Sequence, residues 1–183
     1  MPGAREILTV GHSTHPIDRF LRLLSANEVE VVADVRRFPG SRRNPQFGAE
    51  ALAASLAAFG AGYELLGAEL GGRRRARADS PNDAWRVEAF RAYADHVRTG
   101  EFRRGLERLE ALAAERRTAI MCAEGDWRRC HRRLIADALL ARGWRVSHIG
   151  PDGRTSEHAL PEFASVTGDA VSYASQARLN PER

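Results

Sequence analysis

The chain has 183 residues, 43% of them hydrophobic and 7% aromatic, which is enough for one ordinary core and gives no sign of a second. All 28 residues counted as Lys+Arg are arginine, and the formal charge of +4 with a pI near 9.8 favours anionic partners without specifying nucleic acid. Two cysteines cannot make a secreted disulfide framework, the start carries no long apolar leader, and no apolar run approaches the roughly 20 residues of a membrane span. A cytoplasmic protein without a membrane partner is expected.

In chain order, Glu6 to Val10 reads as a first strand, and Pro16 opens an amphipathic helix through Phe20, Leu21, Leu23 and Leu24, with Ser13 and Thr14 as candidate caps. Val29 to Val35 is a valine-rich second strand and Glu50 to Phe59 an alanine-rich helix. Tyr63 to Leu70 reads as a third strand, and Trp85 to Arg98 and Glu101 to Arg116 as helices from the spacing of Phe90, Tyr93, Val97 and Leu106, Leu109, Leu112. Thr118 to Met121 is a fourth strand, His131 to Arg142 a helix closed by Gly143, and Trp144 to Ile149 a fifth strand. The alternation predicts a single α/β domain over 1–163, Rossmann-like and three-layered, with a mostly parallel sheet of about five strands flanked by helices. The small, polar stretch 164–183 is expected to be a loosely ordered tail.

In open parallel sheets, ligands bind beyond the carboxyl ends of the strands, and the unusual residues of this chain fall there. His12 and Ser13 follow strand one; Asp34, Arg36, Arg37, Arg42 and Arg43 follow strand two; Arg73 opens an arginine run after strand three. Cys122, Glu124, Arg128, Cys130, His131 and Arg132 follow strand four. Loops converging on one edge with this many arginines predict an anion site for a phosphate-bearing small molecule or nucleic acid. Within it, Cys122 is the candidate nucleophile and His12 a candidate base or phosphate donor. Asp34 is a candidate acid whose competing role is to orient Arg36, and His131 sits at the start of a helix that faces the ligand.

The segments Gly11–Thr14, Asp34–Phe47, Leu70–Arg73 and Met121–Arg133 resemble the bacterial and archaeal domain-of-unknown-function family 488, in order and over roughly Ile7 to Leu160. That resemblance implies a compact α/β domain and brings no settled activity. Function therefore rests on the residues.

Cys122 to Arg128 has the Cys-x5-Arg spacing of cysteine-dependent phosphatases, in which loop amides and the arginine hold an oxyanion. Its strand–thiol–turn–helix context, with Asp34-Val35-Arg36, is similar to rhodanese-like sulfurtransferases. The departures are a loop longer than the rhodanese cradle, Met121 in place of the phosphatase histidine, and only Gly125 left of the glycine-rich turn. Glu124 and Asp126 would also oppose an anion. Cys122, Cys130 and His131, with His12 or His158, are donors suited to zinc, but Cys-x7-Cys-His fits no familiar zinc spacing, so neither metal nor cofactor is assigned. Three readings follow: an anion-binding or anion-processing protein, a cysteine-dependent phosphatase or sulfurtransferase using Cys122, and a non-enzymatic regulatory or scaffold domain. Oligomeric state is not set by the sequence.

Overall fold

Period-two alternation within the apolar strands sorts side chains to opposite faces of one sheet. In the computed structural model, which describes residues 5–40, 42–175 and 177, strands β1 (Glu6–Gly11), β2 (Val31–Asp34), β3 (Gly62–Leu65), β4 (Thr118–Cys122) and β5 (Arg145–Ile149) are joined by β6 (Thr155–Glu157). They lie in the order β3-β2-β4-β1-β5-β6, the first five parallel and β6 antiparallel to β5. Leu8, Val10, Val32, Ala119 and Met121 pack on one face with Phe20, Leu23 and Leu24 of α1 (Ile17–Ala26) and Leu52 and Leu56 of α2 (Ala49–Phe59). Ile7, Ala33, Val35, Ile120, Cys122 and Val146 face the other way. They meet α3 (Gly67–Leu70), α4 (Glu88–Val97), α5 (Gly100–Glu115) and α6 (Arg132–Ala141). Each fully buried Leu or Phe contributes roughly 1.5–3 kcal/mol relative to exposure, so these two cores hold the three layers together.

The structure departs from the sequence reading in four places. The third strand stops at Leu65, because Leu66 and Leu70 are four apart and both bury from a short helix turn, with Leu70 N–H bonded to Leu66 carbonyl at 2.9 Å. Among the described residues a short sixth strand, β6, joins the five; it is exposed throughout and carries no apolar pattern to announce it. Ser13 and Thr14 do not cap α1, which starts at Pro16 without a side-chain cap. Nor is all of 164–183 loose: β7 (Ser165–Thr167) and β8 (Ala170–Ser172) form a hairpin, and Val171 and Tyr173 are buried against α6. Residues 178–183, also assigned to the tail, lie outside the described residues.

Because β1 to β5 are parallel, their carboxyl ends share one edge. The β1–β4 ladder continues past the strands there, His12 N–H bonding Cys122 carbonyl and Ser13 N–H bonding Ala123 carbonyl. Gly11 permits this close approach: a Cβ would lie 2.1 Å from Glu124 carbonyl oxygen.

Candidate functional site

A cleft of about 640 Å³ opens at this edge, within the usual range of small-ligand sites. The loops after β1, β2, β4 and α3 all contribute, and His12, Ser13, Arg36, Arg37, Arg73, Glu124, Cys122, Cys130 and His131 line the one cleft. Arg129, Phe38 and Tyr93 also face it and were not singled out; Arg129 is one of four arginines in the β4–α6 segment and nothing in the spacing distinguishes it. Ser13 (φ 47°) and Arg73 (φ 58°) hold the left-handed conformation that costs a side-chain-bearing residue of order 1–3 kcal/mol. Such strain persists where the surroundings fix it, here in two loops that shape the cleft.

The floor is a closed set of polar contacts. Arg36 donates from Nε and Nη2 to the buried carboxylate of Asp34 (2.9 and 2.6 Å), and from Nη1 to Phe47 carbonyl (2.7 Å) and His12 Nε2 (3.3 Å). Tyr63 hydroxyl donates to the same carboxylate at 2.7 Å, and burial followed by that charge pushes its pKa up. Asp34 is thereby the structural partner of Arg36, and each of the three Arg36 nitrogens is already engaged within the protein. His12 Nδ1 donates to Ser13 carbonyl (2.8 Å), its ring stacks on Phe47 at 4.2 Å, and burial lowers its pKa to about 4, so the ring is neutral with both nitrogens engaged. Phe47 itself is core.

Cys122 ends β4 and Cys130 precedes α6, so both thiols reach one point beside His131 at the head of the helix. His131 Nδ1 lies 3.9 Å from Cys122 Sγ and 3.7 Å from Cys130 Sγ, while Nε2 donates to Val35 carbonyl at 3.0 Å. That second bond leaves the Nδ1 lone pair facing the sulfurs. The proximity of the two thiols, then burial, raises the Cys122 pKa, and the same proximity lowers that of Cys130 against the opposing effect of burial. Gly72 lies over the imidazole, where a Cβ would stand 3.0 Å from Nδ1.

Arg132 does not face the cleft. Only 1% exposed, it donates from Nε to Cys130 Sγ (3.4 Å), from Nη2 to Glu124 carbonyl (2.6 Å) and from Nη1 to Thr9 hydroxyl (3.2 Å). A run of buried partners continues behind it. Thr9 hydroxyl meets His148 Nδ1 at 2.7 Å, His148 Nε2 meets His158 Nδ1 at 3.0 Å, and His158 Nε2 meets Asp137 at 2.7 Å, where Tyr173 hydroxyl also donates at 2.6 Å. The contacts are consistent with donation in one direction from Arg132 to Asp137, every group satisfied. The sequence reading considers His158 only as a zinc donor, gives His148 no role and does not single out Asp137. The available signal was a carboxylate in the apolar run Leu134–Leu140.

Arg128, the arginine of Cys-x5-Arg, is placed elsewhere. Asp126 accepts its N–H at 3.0 Å and turns Trp127–Arg129 into a 3-10 helix; the guanidinium lies over Trp127 at 4.6 Å and lines a separate cavity with His15 and Asp152. The phosphatase-like pairing of Cys122 with Arg128 is not formed. Trp127 stacks on His148 at 3.9 Å. Arg42 and Arg43 are exposed and do not line the cleft.

The family model described as "Domain of unknown function DUF488" matches residues 16–139, from the start of α1 into α6. The chain belongs to the DUF488 family. No curated protein and no solved structure matches it. The DUF488 match contains Asp34, Arg36, Cys122, Cys130, His131 and Arg132, whereas His12, His148 and His158 fall outside it. Among the described residues, no helix is long and apolar enough to cross a membrane.

Proposed function

We propose that this DUF488 protein binds a phosphate-bearing small molecule of the nucleotide class in the cleft. One observation carries the reading: Arg37, Arg73 and Arg129 all line the cleft, and none of them pairs with a carboxylate among the described residues. Other arginines do pair: Arg74 with Glu101, Arg77 with Asp79, Arg108 with Glu64 and Glu69, Arg142 with Glu110. Three cations left for solvent at one concave site suit the terminal oxygens of a phosphate chain. Against them stands one acid, Glu124, whose carboxylate already accepts Asp126 N–H at 3.1 Å. Phe38 supports the nucleotide class: it is 65% exposed, faces the cleft, and has the Arg37 and Arg73 guanidiniums 5.8 and 6.0 Å from its ring. An aromatic face between two cations accepts a base by stacking.

Calorimetric titration with pyrophosphate and with nucleoside mono-, di- and triphosphates tests this. Affinity is expected to rise with phosphate count and to weaken between about 50 and 200 mM salt. Phe38→Ala is expected to weaken nucleotides and spare pyrophosphate. A response indifferent to both salt and phosphate count would overturn the reading, and much tighter binding of a single-stranded oligonucleotide than of any mononucleotide would move the partner to nucleic acid.

A further inference from the structure

The three soft donors at the cleft floor are arranged as a set. Cys122 Sγ, Cys130 Sγ and His131 Nδ1 all lie within 4.8 Å of one another, with the two sulfur–nitrogen separations at 3.9 and 3.7 Å. Zinc bonds of about 2.3 Å to sulfur and 2.0–2.1 Å to nitrogen, at tetrahedral angles, give sulfur–nitrogen edges of roughly 3.6 Å. The observed edges are within a few tenths of an ångström of that. The spacing along the chain is unlike a zinc finger because the ligands come from a strand end and a helix start that the sheet brings together.

The surroundings orient two of the donors. Val35 carbonyl takes the Nε2 proton of His131 and frees Nδ1 for a ligand, and Arg132 Nε donates to Cys130 Sγ. Hydrogen bonds of this kind to the far nitrogen of a histidine and to ligating sulfurs are the usual outer partners of a protein-bound metal. Two sulfurs and an imidazole, without a carboxylate in the set, select a borderline-soft ion over magnesium or calcium.

We infer that Cys122, Cys130 and His131 form a three-ligand site for a divalent ion of the zinc class, its fourth coordination position open to the cleft. Three protein ligands and one open position distinguish a reactive zinc site from a structural one. All three residues line the same cleft as the rim arginines. The inference stands on donor geometry and is independent of the anion reading, because metal content and nucleotide binding are measured separately and either can fail while the other stands.

The test uses the full chain, purified with a reductant, equilibrated with Zn²⁺ and desalted, with a parallel sample loaded with Co²⁺. The expected result is about one zinc per chain and, with cobalt, a sulfur-to-metal charge-transfer band with intense tetrahedral visible absorption. Cys122→Ser, Cys130→Ser and His131→Gln are each expected to weaken binding beyond the ~10–100-fold that loss of an outer partner costs, while Arg128→Ala leaves it unchanged. Substoichiometric zinc in the wild-type protein, or a cobalt spectrum without charge transfer, would overturn the site even if a variant fails to fold. Full metal retention in the folded cysteine variants would do the same.

Discussion

Two polar regions meet at Cys130 and are built on opposite terms. Behind the sheet edge, Arg132, Thr9, His148, His158, Asp137 and Tyr173 form a buried sequence in which each group has a partner. At the cleft rim, Arg37, Arg73 and Arg129 are exposed and unpaired with acids among the described residues. A buried group without a partner costs the full desolvation penalty, whereas an exposed cation costs little and stays available. The contrast separates support from recognition: substitutions behind the cleft should act on stability, and substitutions at its rim on binding.

The largest effect is expected at the floor. Asp34→Ala leaves the buried Arg36 cation without its carboxylate and should cost about 3–5 kcal/mol in denaturant unfolding. Tyr173→Phe removes one donor from buried Asp137 and keeps the ring and backbone contacts of that residue, and about 1.5–3 kcal/mol should be lost. An unchanged midpoint in either variant would mean that the pair contributes no net stability.

The pH dependence has the sign of a histidine buried in its neutral form. Burial, then the nearby His158, Arg132 and Arg128, lowers the pKa of His148 to about 3, while the unfolded chain takes up that proton near pH 6.5. Below pH 6.5 the unfolded state therefore binds more protons than the native one, so the stability present above that pH is lost as pH falls toward 3. Unfolding measured from pH 7 to 5 should show a slope approaching roughly 1.4 kcal/mol per pH unit for this one proton. His148→Gln should reduce the slope without abolishing it, since His12 is shifted in the same direction.

Smallest in stability are the rim residues. Arg73→Ala or Arg129→Ala should change the unfolding free energy by no more than about 0.5 kcal/mol, as exposed side chains generally do. Loss of binding from the same proteins is what sets them apart.

Much of this division was legible before any coordinates. Strands such as Val31–Asp34 and Thr118–Cys122 announce themselves as continuous apolar runs, and their parallel pairing puts the polar loops on one edge. Periodicity does not tell which way a loop arginine points. Arg128 has the spacing of an oxyanion ligand yet is turned away by the Asp126 cap, and Arg36 is consumed by Asp34 two residues earlier. The pairing of Asp137 with His158 is not legible because it depends on β6 pairing antiparallel with β5 at the sheet edge, and an exposed three-residue strand leaves no pattern. The donor set was legible as residue types, but its geometry arises only when β4 and the head of α6 are brought side by side.

The most direct test of the rim's role compares the wild-type protein with the triple variant Arg37→Ala, Arg73→Ala, Arg129→Ala, titrating both with ATP in low salt and unfolding both in denaturant. Each lost arginine–phosphate contact is worth roughly 1.5 kcal/mol or more, so affinity should fall at least about 1,000-fold while the variant remains folded. Equal ATP affinity in the two proteins would contradict the account.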